Sequence, residues 1–294
     1  MIRLEDNIQD NELRVLGKSS PENPKKRNRK WYYAIVLLMI FLGVIYAATH
    51  LTVIRHDEIV PDFYETESVE RIETSEPVPE KLGDYTDSSK AYTEHIQRTI
   101  NDIPLDIYIP HNATPRLFIG TPDLNDKNIV FTTQAADIRA DNGKINGAFV
   151  LDGEPKTWGL SKKGYCAIIN GKISIGVADN SPLFEEATET GGYFFRQYPL
   201  VGNGKLVENK PKGKSIRKAV CDRGGEILIV MTQDSESFHD FAQALIDLGV
   251  SNAIYLVGST SYGYFRDKYD HLAVIYDKQQ DGQKYENHIQ WVIL

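Results

Sequence analysis

Eighteen consecutive residues, Trp31 to Ala48, carry no charge, and five basic side chains, Lys25, Lys26, Arg27, Arg29 and Lys30, stand directly before them. As a helix this run spans about 27 Å, enough for the hydrocarbon core of a bilayer, and Thr49 to Ile54 extend it into the interface. The aromatic residues Trp31, Tyr32, Tyr33 and Tyr46 fall at its two ends, where amphipathic rings favour the headgroup region. The sequence therefore predicts a transmembrane anchor over 31–54, a cytoplasmic basic tail over 1–30, and an extracytoplasmic C-terminal part, periplasmic or its equivalent. A cleaved signal peptide fits less well, because thirty residues precede the run and Tyr46-Ala47-Ala48-Thr49 is a poor cleavage site. A buried core helix would need polar residues at helical spacing, and the run has none.

Charge divides at the same place. The first thirty residues carry a net of +3 and the rest of the chain a net of −11. A segment that acidic does not hold a nucleic acid by neutralising phosphates. Between Asp57 and Glu80 stand nine acidic residues and one basic residue, Arg71, with Pro61, Pro77 and Pro79 among them. Such a stretch is solvated and self-repelling, so 55–88 reads as a linker and 89–294 as one domain.

Within that domain the pattern is one of short strands and tight turns. Asn170-Gly171 separates two apolar runs and has the residues that a two-residue hairpin turn requires. Further hairpins are expected at Gly202-Asn203-Gly204 and at Arg223-Gly224-Gly225. One clear helix follows: Ser237 as cap with Asp240 reaching back, an apolar stripe of Phe238, Phe241, Ala242, Leu245 and Leu248, and Gly249 as stop. Asn252 to Val257 is apolar on both faces and reads as a buried strand leading into the polar loop Gly258-Ser259-Thr260-Ser261. The fold expected is α+β: a mixed, mainly antiparallel sheet with few packed helices. Cys166 and Cys221 both lie in strand-like runs, where either a disulfide or two buried thiols is consistent. No metal ligand set stands out, and the sequence specifies no cofactor.

Several loose motifs come in a telling order: Gly147-Ala148-Phe149 with Asp152-Gly153, Trp158-Gly159-Leu160, Gln197-Tyr198-Pro199, Asn203-Gly204-Lys205, Arg217-Lys218-Ala219, the helix, and Tyr255-Leu256-Val257-Gly258-Ser259. In that order the chain resembles the phosphodiester glycosidases, over about Ile145 to Phe265 and as a bacterial, membrane-anchored branch. The resemblance implies hydrolysis of the bond between a sugar's anomeric carbon and a phosphodiester. Such chemistry needs cations or donors around the phosphate and a carboxylate near C1, where oxocarbenium charge develops. Arg217 matches the family's Arg-x-Ala motif, and Arg196 is a second cation suited to phosphate. Asp152 and Glu154 are the candidates for the carboxylate, while Gln197, Asn203, Gly258 and Ser259 are assigned to substrate positioning. Asp152-Gly153 is equally a common turn pair.

One departure weighs against activity. Relatives of this kind typically carry Asp-Gly after the last core strand, whereas this chain has Val257-Gly258. Valine supplies neither a charge nor an acceptor. The expectation is thus an envelope hydrolase acting on a glycan or sugar phosphate, with a catalytically inactive glycan-binding or scaffold protein as the alternative. A serine peptidase built on Ser259 or Ser261 lacks a histidine in a recognisable motif beside it.

Overall fold

The structure is a computed structural model that describes residues 80–87, 89–258, 261–276 and 286–294. The anchor, the basic tail and most of the acidic linker lie outside the described residues. Among the described residues no helix is long and apolar enough to cross a membrane.

The strands in chain order are β1 (Tyr92–Ile100), β2 (Ile103–His111), β3 (Thr114–Ile119), β4 (Ile129–Gln134), β5 (Phe149–Leu151), β6 (Glu154–Thr157), β7 (Gly164–Ile169), β8 (Lys172–Val177), β9 (Tyr193–Gln197), β10 (Pro199–Gly202), β11 (Lys205–Leu206), β12 (Ser215–Arg223), β13 (Glu226–Glu236), β14 (Asn252–Leu256), β15 (Gly263–Arg266), β16 (Leu272–Tyr276) and β17 (Asn287–Val292). Among the described residues two helices join them, α1 (Leu183–Glu189) and α2 (Phe238–Asp247). The strands form three sheets, ordered β1-β2-β13-β12-β14-β10-β11, β16-β15-β4-β17-β3 and β6-β5-β9-β7-β8. The mainly antiparallel α+β class holds, and every strand pairing among the described residues is antiparallel.

The seven-stranded sheet is the middle layer, and the period of two along its strands sorts side chains to opposite faces. On β12, Ala219 and Cys221 join the apolar cluster beneath α2, together with Leu228, Val230, Phe241 and Leu245. Val220, Ile229 and Ile254 project the other way, into a cluster with Phe131, Ile289 and Trp291 of one five-stranded sheet and Cys166 and Phe195 of the other. Both strands β12 and β14 are therefore buried on two faces, which is why Asn252 to Leu256 reads as continuous apolar sequence.

The turns follow from their residues. Asn170 (φ 51°) with Gly171 (φ 73°) closes β7–β8, and Asn203 (φ 50°) with Gly204 (φ 71°) closes β10–β11. Ser237 caps α2 by accepting from the Asp240 N–H at 3.0 Å. The stripe of Phe238, Phe241, Ala242 and Leu245 is buried, and Gly249 (φ 91°) follows the helix. Cys166 and Cys221 are free and buried, one on each side of the middle layer, so they form no disulfide.

The end of the acidic stretch is fastened to this framework. The Glu226 carboxylate accepts from the N–H groups of Leu82 and Gly83 and from the Tyr85 hydroxyl. Arg223 donates to the Glu80 carbonyl at 2.5 Å and to Leu248 at 2.8 Å.

Candidate active site

Polar side chains converge where β9, β12 and β14 end beside the loop after β4. Arg217 sits at a bulge in β12, where the register with β13 shifts between Ile216 and Lys218. A bulge re-aims a side chain, and here the Arg217 N–H is taken by the Thr232 hydroxyl at 2.9 Å. Its guanidinium lies over the Phe238 ring, 4.0 Å from the centroid, and donates to the Glu236 carbonyl at 2.7 Å and to the Gly213 carbonyl. It also lies 5.8 Å from the centroid of the Tyr255 ring. Burial raises the Tyr255 pKa, and the arginine opposes that rise. The same hydroxyl accepts from the Gly258 N–H at 3.1 Å. Gly258 is required by space: a Cβ there would stand 2.4 Å from the Ile216 carbonyl oxygen and 2.7 Å from the Tyr255 hydroxyl.

Across the Tyr198, Phe238 and Tyr255 rings, whose neighbouring centroids are 5.5 and 4.9 Å apart, stands Lys162. Its ammonium lies 4.6 Å from the Tyr198 ring centroid, donates to Gln197 Oε1 at 2.6 Å and pairs with Asp137. Burial lowers the Lys162 pKa, while Asp137 pulls it back up. The Asp137 side chain is 33% exposed, so this carboxylate meets water although its lysine is buried. Its negative charge is also felt at Tyr255, which joins the two halves of the site. Gln197 is buried; its Oε1 also accepts from the Tyr198 N–H at 3.0 Å, and its Nε2 has no hydrogen-bond partner. An unpaired buried amide costs about 1–3 kcal/mol.

The structure thus brings together Gln197, Arg217 and Gly258 of the residues expected from sequence. Others are placed elsewhere. Asp152 (φ 49°) and Gly153 (φ 76°) form the exposed turn of the β5–β6 hairpin. Asp152 takes that position because a short polar residue tolerates positive φ. Glu154 begins β6 and pairs with Lys156, with its side chain 71% exposed. The turn reading of Asp152-Gly153 holds, and neither Asp152 nor Glu154 belongs to the cluster. Asn203 is likewise an exposed turn residue, present for its backbone conformation. Arg196 is buried, but its guanidinium donates to the carbonyls of Lys162, Ala178 and Asp179, so it fastens the chain before and after the β7–β8 hairpin. Ser259 lies outside the described residues.

Sequence reasoning missed Asp137 and Lys162, which stand in loops without a motif of their own. It also missed the role of Lys218. This lysine, one residue from Arg217, points to the opposite face and is buried with Thr133 Oγ1 at 2.6 Å and Ser261 Oγ at 3.0 Å. Burial brings its pKa down to about 7. The alternation of β12 was a usable signal, because Arg217 faces with Ala219 and Lys218 with Val220. Among the described residues no group of three or more His, Cys, Asp or Glu is placed to hold a metal ion.

Comparisons with known proteins bear on this arrangement. The model of the phosphodiester glycosidase family matches residues 127–292, which include all of Asp137, Lys162, Gln197, Arg217 and Gly258. No curated protein sequence matches the chain. Among solved structures, the catalytic domain of zebrafish N-acetylglucosamine-1-phosphodiester alpha-N-acetylglucosaminidase, auto-inhibited by its pro-peptide, is similar with a TM-score of 0.48 and 13% identity. That match covers 71% of this chain and 85% of the zebrafish chain. A hypothetical protein from Synechocystis is similar with a TM-score of 0.46 and 14% identity, over 70% of this chain and 64% of that one. With the family model spanning more than half of its length, this chain belongs to the phosphodiester glycosidase family.

Proposed function

We propose that this protein is an envelope hydrolase that cleaves the bond between a sugar's anomeric carbon and a phosphodiester. In this reading residues 31–54 anchor it in a membrane, and the domain from 89 onward works outside the cytoplasm. The observation that carries the chemistry is the pairing of the water-exposed Asp137 with the buried Lys162, in one cluster with Gln197 and Arg217. It provides the carboxylate that Val257 denies to the end of β14.

The roles follow from charge and reach. Arg217 and Lys162 hold the phosphate, and Gln197 positions the Lys162 ammonium by accepting from it. Asp137 faces C1, stabilises its developing positive charge and takes a proton from the attacking water. The C1–O bond breaks, the water oxygen becomes the anomeric hydroxyl, and the phosphate departs as a monoester with the bonding electron pair. A phosphate is a weakly basic leaving group, so one carboxylate suffices without a separate acid.

The test is sugar release from N-acetylglucosamine-1-phosphodiesters by the full chain in detergent. Asp137→Asn and Arg217→Ala should each lower kcat/KM by at least about 100-fold, a scale set by general-base and charge-stabilising groups. Asp152→Asn should leave it unchanged. Full turnover in folded Asp137→Asn would remove Asp137 from the mechanism. A folded wild-type protein that binds the diesters without cleaving them would support the inactive glycan-binding alternative.

A further inference from the structure

Beside the catalytic cluster lies a concave groove of about 450 Å³, on the scale of sites that hold small ligands. It is formed by the segments flanking β5 and β6, and two large apolar side chains stand open to solvent on its wall, Trp158 at 72% and Leu160 at 69% exposure. Such residues are normally covered, and an exposed tryptophan beside cations marks a place where something binds.

The backbone around Trp158 is pinned. The Thr157 hydroxyl donates to the Gly147 carbonyl at 2.6 Å, and the Gly159 carbonyl accepts from the Ala148 N–H at 3.1 Å. The indole is therefore carried on a fixed support. Around it stand Arg139, Lys144 and Lys156. Arg139 is held by Asp141 and Lys156 by Glu154, whereas Lys144 has no acidic partner among the described residues. Two of its lining residues tie it to the candidate site: Ser161 directly precedes Lys162, and Asn146 N–H donates to the Asp137 carbonyl at 2.8 Å.

We infer that this groove is a second subsite, taking the part of the substrate beyond the scissile bond, and that the substrate is an extended glycan with phosphate groups along its length. The inference rests on the hydrolase reading above. A sugar ring lays its C–H face on the Trp158 indole, and a neighbouring phosphate meets Lys144 and, by exchange with its carboxylate, Lys156. A lipid surface is the competing occupant of an aromatic and basic patch. Interfacial anchors present such residues on a protruding face, whereas here they line a hollow whose wall residues Asn146 and Ser161 are bonded to Asp137 and Lys162 through the backbone.

Two measurements on the full chain in detergent test this. The first compares KM for a methyl phosphodiester of N-acetylglucosamine with KM for an oligosaccharide joined through phosphodiesters. Trp158→Ala should raise the KM of the extended substrate about tenfold relative to the small one, and Trp158→Phe should restore most of the preference. Equal effects on both substrates, or on neither, would overturn the subsite. The second needs no turnover: quenching of tryptophan fluorescence by a phosphate-linked mannan, by uncharged mannan, and by anionic lipid vesicles. Quenching by the phosphate-linked mannan that is lost in Trp158→Phe and weakened in Lys144→Ala supports the groove even if neither diester is cleaved. Quenching by vesicles alone, or by neither mannan, would refute it.

Discussion

Lys218 shows how far a single residue can depart from what its sequence neighbours suggest. Buried against two hydroxyls with no carboxylate partner among the described residues, it has a folded pKa of about 7 against an ordinary 10.5. Between those values the unfolded chain holds a proton that the folded one lacks, so stability rises with pH across this window and the full cost of burial is present below pH 7. Urea unfolding of the wild type should therefore show a gain toward pH 10 of at most about 1.4 kcal/mol per pH unit from this group. Lys218→Met should remove that gain. Identical pH slopes in the two proteins would mean that the lysine is charged in the fold. The neighbouring Arg217 was legible because it belongs to a motif; the partner carboxylate was not. Asp152 and Glu154, the acids beside the motif, stand at the turn and start of an exposed hairpin, while Asp137 sits in a loop that nothing local distinguishes.

Elements were easier to read than side chains. The α2 helix, the Asn-Gly hairpin and the doubly buried β14 each have a local cause, a cap, a positive-φ turn or a period, and each stands where the sequence placed it. The bulge in β12 has no such signature, since it depends on how that strand is laid against β13 and β14. Gly258 records it indirectly: it is glycine because the Ile216 carbonyl at the bulge comes within 2.4 Å of where a Cβ would stand. Gly258→Ala should cost about 1–3 kcal/mol through overpacking and should lower turnover by displacing the Tyr255 hydroxyl and Arg217 with it. A variant with unchanged urea midpoint and unchanged kcat would separate this glycine from both roles.

At the scale of the domain, the three antiparallel sheets and two helices of the described residues enclose separate apolar clusters on either side of one central layer. The α+β class was legible, but the division into three sheets was not, because strand order depends on contacts between segments far apart in the chain. The two cysteines illustrate it: equal in local context, they lie in different clusters and remain thiols that burial makes hard to ionise. The folded protein should resist a thiol reagent until denaturant is added, and its unfolding midpoint should be the same with and without reductant. A reductant-dependent midpoint would reveal a disulfide. The fastening of Glu80, Leu82 and Gly83 to Arg223 and Glu226 bears on how force enters this fold. Those contacts gather at the hairpin end of β12, and Arg217 stands six residues back along the same strand, about 20 Å away. A pull on Glu80 is therefore taken up by one carboxylate and one guanidinium at the far end of the strand, before it reaches Arg217.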